Sequence, residues 1–411
     1  MESGIVVQLL LSLSAIILAT QLAGVAARLL RQPRVLGELM AGVLLGPSLL
    51  NMLHWSQFVD PELLRQTIDE LAELGVLLLM FSIGLEIHLN ELAAIRQMAL
   101  WSGVRGGIMP VLMTIPVVRF FGYSAETAIF TGVVMAATSV SISAQTLLEL
   151  GHLRTKEGVG LLAAAVIDDI LALLLLAVVL VAFGPDTQAS ATGLFWTLAR
   201  LVLYLAGALA VAWLVLPRLF NWIYHQHYLT QGMVSLALLA MLVFSWAAEA
   251  AGGITAVTGA FIAGVGLSRI HERPHLEIAT AVYHVSYSFL VPIFFVNVGL
   301  HADIGKITPD LVPFVLALLA AAVISKVIGS GAGALVGGFN AQESLRVGIC
   351  RISRGEVGLI VASLGLTNGL LSARLFQPVF LVIFLTTILT PPLVRWAFRG
   401  YATGPGKTFT A

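Results

Sequence analysis

Long apolar runs alternate with short polar breaks along almost the whole chain, and most runs have the length of a helix that crosses a bilayer. Thirteen such stretches are predicted, at about 5–28, 35–53, 70–87, 98–121, 125–148, 158–183, 192–217, 230–250, 253–268, 279–300, 310–336, 343–366 and 373–398. The second and ninth are short and interrupted by glycine. The expected fold is therefore an all-α polytopic membrane protein of about thirteen transmembrane helices. The first run reaches Leu30 without a basic segment before it, too long for a cleaved leader, and is taken as a retained helix.

The pattern repeats. Gly37-Glu38-Leu39-Met40-Ala41-Gly42-Val43 in the second stretch matches Gly259-Ala260-Phe261-Ile262-Ala263-Gly264-Val265 in the ninth. Met80-Phe81-Ser82-Ile83-Gly84-Leu85 in the third matches Phe295-Val296-Asn297-Val298-Gly299-Leu300 in the tenth, in the same helix order. A displacement of seven spans is odd, so the second copy would cross in the opposite sense. The prediction is two inverted six-helix repeats joined by the seventh span, with an ion site at mid-membrane where the copies meet. Span 5 carries a hydroxyl-rich patch, Thr138-Ser139-Val140-Ser141-Ile142-Ser143. Span 12 carries Arg351-Ile352-Ser353-Arg354-Gly355-Glu356 at the corresponding depth. Both are predicted to break there and cross, although hydroxyls in span 5 alone also suit ordinary helix packing.

Composition agrees with a membrane class: 58% of residues are hydrophobic and 11% charged, with 22 basic and 22 acidic side chains. No basic patch with interleaved aromatics is present, so nucleic acid is not an expected partner. The single Cys350 excludes an internal disulfide framework. With the N-terminus outside, thirteen Lys and Arg fall in loops and tail on the inner side, against Arg65, Arg119, Lys306 and Arg374 outside. That bias places the C-terminus in the cytoplasm.

Charge inside the spans carries the chemistry. Asp168 and Asp169 sit in the middle of the apolar sixth stretch, where one charged side chain costs roughly 2.5–3.5 kcal/mol to insert. Lys326 lies well inside the eleventh, and Arg105 and Glu38 also have apolar surroundings. Adjacent helical residues point about 100° apart, so one Asp can pair with a cation such as Lys326 while the other faces a cavity. Crowding two carboxylates in a poorly solvated place brings one of them into proton exchange near neutral pH. A hard monovalent cation prefers the same oxygen ligands. Protons and cations competing for one site, exposed to each side in turn, are sufficient for exchange.

Val166-Ile167-Asp168-Asp169, Ala137-Thr138-Ser139-Val140, Pro292-Ile293-Phe294-Phe295, Ser325-Lys326-Val327-Ile328-Gly329 and Arg354-Gly355-Glu356-Val357-Gly358 together resemble the bacterial monovalent cation:proton antiporters of the second family. That group includes sodium/proton exchangers and the membrane part of Kef-type potassium efflux systems. The resemblance implies a homodimer in the inner membrane, with a dimerisation panel (1–97 and 230–305), a core (98–184 and 306–400), a connecting helix (185–229) and a short cytoplasmic tail (401–411). It implies that Asp169 is the main ion- and proton-binding carboxylate and that Asp168 pairs with Lys326, releasing it when Na+ binds. Thr138, Ser139 and Glu356 would lie at the crossing, with Arg354 more peripheral. The function implied is electrogenic exchange of Na+ or Li+ for H+, without a cofactor. The alternative is potassium efflux or K+/H+ exchange of the Kef type lacking its regulatory domain. Arg351 departs from the pattern and has no assigned role. An intramembrane aspartyl protease needs two Asp on facing helices and a Gly-x-Gly-Asp motif, which does not occur, so no enzyme is expected.

Overall fold

Among the described residues, helices lie along each of the predicted apolar stretches in whole or in part, because a chain in hydrocarbon must satisfy its backbone within each segment. The structure is a computed structural model and describes residues 2–55, 58, 60–87, 94–183, 191–225, 232–302, 308–367 and 369–399. The predicted tail 401–411 lies outside the described residues, as do Lys306 and Lys407 of the loop-charge comparison.

The helices are α1 (Glu2–Leu29), α2 (Arg34–Leu45), α3 (Pro61–Glu86), α4 (Arg96–Phe120), α5 (Ala125–Ala136), α6 (Val140–Glu149) and α7 (Lys156–Phe183). They continue as α8 (Ala191–Ala210), α9 (Leu216–Tyr224), α10 (Met233–Ala247), α11 (Ala256–Leu267), α12 (Glu272–Val285) and α13 (Val291–Leu300). The last four are α14 (Val312–Val336), α15 (Ala341–Cys350), α16 (Glu356–Thr367) and α17 (Ala373–Ala397). Short π-helical turns at Val211–Val215, Ala248–Gly252 and Ser286–Leu290 follow α8, α10 and α12.

Among the described residues, nine stretches are long and apolar enough to cross a membrane. The other predicted spans fall short for separate reasons. α2 stops at Leu45 rather than reaching 53, because Gly46 turns extended ahead of Pro47. α11 has 12 residues. α3 has length enough, 26 residues, but carries Asp69, Glu70, Glu73 and Glu86. The twelfth stretch is split into α15 and α16.

The chain divides into two compact units, one formed by residues 1–90 and 199–302, the other by 91–198 and 303–411. The first has a core that includes Phe81, Phe220, Phe244 and Met241. Its helices meet through glycine, and one crossing occurs twice. A Cβ on Gly42 of α2 would stand 2.1 Å from the Val296 carbonyl oxygen of α13, and one on Gly299 of α13 would stand 2.4 Å from that of Leu39. A Cβ on Gly264 of α11 would stand 2.3 Å from the Phe81 oxygen of α3, and one on Gly84 would stand 2.5 Å from that of Phe261. These are the glycines of the two sequence matches. Backbone–backbone approach of this kind leaves no side chain to give way.

We therefore expect Gly264→Val to destabilise the protein by about 1–3 kcal/mol or more, through overpacking against a fixed carbonyl. Gly207→Ala is the control, since a Cβ there meets nothing within 4 Å. Fluorescence-detected size exclusion after heating would show a lowered melting point for the first only. Equal stability of the two variants would contradict the close packing.

The second unit has its core around Phe130, Met135, Leu318, Phe314 and Val382. α4 and α14 lie against each other along their length. α7 seats on α4, with Ile167 and Leu171 filling the space over Gly103 and Gly107. This unit holds Asp168, Asp169, Lys326, Arg351 and Arg354.

Candidate functional site

The site begins where two helices stop. α5 ends at Ala136; Ala137 and Ser139 are extended, and α6 restarts at Val140. α15 ends at Cys350, and α16 restarts at Glu356. The breaks touch: the Ser139 amide donates to the Ser353 carbonyl at 2.9 Å, and a Cβ on Gly355 would come within 2.7 Å of Ser139 Cβ. Span 5 is therefore broken, and its hydroxyl patch is not merely a packing surface.

A helix that ends in the interior leaves its last carbonyls without partners, and these attract cations. Two buried cations meet them. Lys326 Nζ donates to the Ala136 carbonyl at 2.7 Å, and Arg354 Nε donates to that of Met135 at 2.9 Å. Arg354 also donates to the Ile352 carbonyl at 2.8 Å and the Ala322 carbonyl at 2.9 Å. Expected towards the periphery of the crossing, Arg354 is fully buried at its centre. Its guanidinium holds together strands of backbone from α5, α14 and the second break.

Asp168 is sealed, at 2% exposure, whereas Asp169 keeps part of its surface exposed. The helical angle between neighbours accounts for the difference. Thr138 Oγ1 donates to Asp168 Oδ2 at 2.7 Å. Lys326 Nζ donates to Thr138 Oγ1 at 2.5 Å and lies 3.6 Å from the same carboxylate oxygen. The lysine thus reaches Asp168 mainly through a hydroxyl. Arg351, which the sequence left without a role, forms an ion pair with Asp168 Oδ2 directly. Three groups converge on one oxygen, while Asp168 Oδ1 has no hydrogen-bond partner among the described residues. An unpaired carboxylate oxygen in a buried place is a ready acceptor for a proton or a small cation.

Ser139 Oγ hydrogen-bonds Ser141 Oγ at 3.0 Å. Glu356 opens α16, and its side chain lies outside the described residues. Arg105 is exposed, over the Trp101 ring, and stands apart from the site. Glu38 pairs with Arg34 at 2.7 Å in the other unit. Away from the breaks, Glu157 at the start of α7 is buried and paired with Arg346 of α15 at 3.0 Å. That pair ties the helix bearing Asp168 to the one leading into the second break.

The family model for transmembrane sodium/hydrogen exchangers matches residues 12–400. The chain is 36% identical over 386 residues to the Na(+)/H(+)-K(+) antiporter GerN of Bacillus cereus, covering 94% of this chain and 95% of that one. It is 32% identical over 384 residues to the Na(+)/H(+) antiporter of Enterococcus hirae, covering 93% and 96%. Among solved structures, the sodium proton antiporter MjNhaP1 of Methanocaldococcus jannaschii superposes with a TM-score of 0.68 at 17% identity, over 97% of this chain and 98% of that one. At that identity the likeness is one of fold.

Proposed function

The chain belongs to the transmembrane sodium/hydrogen exchanger family, and on that premise we propose that it is a secondary antiporter exchanging Na+ or Li+ for H+ across the inner membrane. The observation that carries the reading is the buried Asp168, tied to Thr138 and Lys326 beside two touching helix breaks, with Asp169 next to it and partly accessible. Asp169 is the carboxylate that takes proton and cation in turn. Thr138 and Ser139 supply hydroxyl and backbone oxygen beside it, and Arg354 supports the crossing. Because a proton and a hard cation need the same oxygens, occupation by one excludes the other, and each crossing carries only one of them. Unequal numbers of charges moved each way make the exchange electrogenic.

The same reading assigns thirteen spans in two inverted six-helix repeats, with the N-terminus outside and the C-terminus in the cytoplasm. The duplicated glycine crossing of α2 on α13 and of α11 on α3 supports the repeat. The panel and core are the two stretches 1–97 with 230–305 and 98–184 with 306–400, and the working form is a homodimer.

The test is dequenching of a pH dye in proteoliposomes of the purified protein. We expect Na+ and Li+ to dissipate an imposed pH gradient, faster when the membrane potential is clamped. The Bacillus cereus relative is named for potassium as well as sodium, so K+ goes into the same assay. No dissipation by any of the three cations would overturn the reading.

A further inference from the structure

Two fully buried arginines lie three positions apart in the second break, and they do different things. Arg354 spends its guanidinium on three main-chain carbonyls. That is what a structural cation at a helix end does. Arg351 instead donates from Nη1 to Ser102 Oγ of α4 at 3.0 Å and from Nη2 to Asp168 Oδ2. Ser102 passes the contact on, donating to the Ser330 carbonyl of α14 at 3.0 Å. The slot is shaped for the group: a Cβ on Gly106 would stand 3.3 Å from Arg351 Cζ. Arg351 is therefore braced against two helices and aimed at the carboxylate.

We propose that Arg351 is a positioning residue, the standing counter-cation that holds the Asp168 carboxylate in place throughout the transport cycle, so that Lys326 can leave Asp168 without freeing it. This rests on the exchange reading above and adds a second cation to the expectation that Asp168 releases Lys326 when Na+ binds. The geometry supports the division. A guanidinium is a permanent charge whose planar fork matches a carboxylate and a hydroxyl at once. An ammonium is a flexible point charge, and here it stands off at 3.6 Å behind the Thr138 hydroxyl. The charged groups around Asp168 are Lys326 on α14, Arg351 and Arg354 in the break, and Asp169 beside it on α7; Arg105 of α4 is exposed and directed at the Ala332 carbonyl. Of the two cations paired with this buried carboxylate, the lysine is the one whose charge can be dispensed with.

The test is the pH profile of Na+-driven exchange in proteoliposomes, with wild type, Arg351→Gln, Arg351→Lys and Lys326→Met compared at equal folded protein. Removing the fixed positive charge lets protons compete better for the carboxylates. Arg351→Gln therefore moves the pH of half-maximal activity upward by about one unit, and Arg351→Lys restores it. Lys326→Met keeps measurable exchange with an altered profile, and adding Arg351→Gln to it removes exchange. A wild-type midpoint in Arg351→Gln, or complete loss of exchange in a folded Lys326→Met, overturns the proposal while leaving antiport intact. No exchange in the wild type overturns both. If Arg351→Gln fails to fold, Ser102→Ala is read instead: it keeps the charge but removes the brace, and an upward shift is expected, smaller than that of Arg351→Gln. An unchanged profile there counts as failure.

Discussion

Asp169→Asn loses cation–proton exchange, to the leak of empty vesicles, in a protein that folds and inserts normally. Asparagine has the shape of aspartate, but it can neither give up a proton near neutral pH nor supply the negative charge that draws a cation out of water. The carboxylate it replaces is partly exposed, and asparagine keeps its size and its capacity to hydrogen-bond. Assembly and transport should therefore separate cleanly at this position. Size exclusion and melting would match wild type while dequenching by Na+ and Li+ disappears. Exchange at near wild-type rates would mean that the transported ion binds elsewhere.

Asp168→Ala is expected to do the opposite, and to fail in assembly first. Asp168 holds one ion pair with Arg351 and another with Lys326, both cations being fully buried. Removing one member of a buried charge cluster leaves the others desolvated and uncompensated, which costs about 3–5 kcal/mol. The Thr138 hydroxyl loses its acceptor as well. We expect little monodisperse protein on size exclusion and a melting point well below that of Asp169→Asn. A compensated variant tests the cause: Asp168→Ala with Lys326→Met and Arg351→Met removes all three charges, and apolar replacement of a buried cluster is often neutral. Recovery of folding without recovery of transport supports the electrostatic account. A single Asp168→Ala as stable as wild type would sink it.

Between them the two neighbours show why charge content alone does not assign roles. Both are aspartates in one apolar run, and a helical turn sends one into the packed interior and leaves the other accessible. That an odd pair existed was evident from composition, as was the membrane class. That one aspartate would meet Lys326 followed from there being few cations inside the spans; that it would be Asp168 was implied by the family resemblance alone. Arg351 was visible but mute. Its partner lies 183 positions away, and no local period or spacing connects them. Ser102 carries no signal at all, being one hydroxyl among many in apolar helices.

What the sequence determined by itself is what short-range physics writes into it. Run length against the thickness of hydrocarbon set the helices, and the glycine matches pointed to a repeat without saying that those glycines lie at helix contacts. Charges in apolar surroundings marked the site. Only the tertiary structure decided which cation holds which oxygen: Arg354 on three carbonyls at the heart of the crossing, Arg351 on Asp168, Lys326 one hydroxyl away. Those assignments depend on distances of a few ångströms between helices far apart in the chain, and electrostatic energy in a low-dielectric interior changes steeply over such distances.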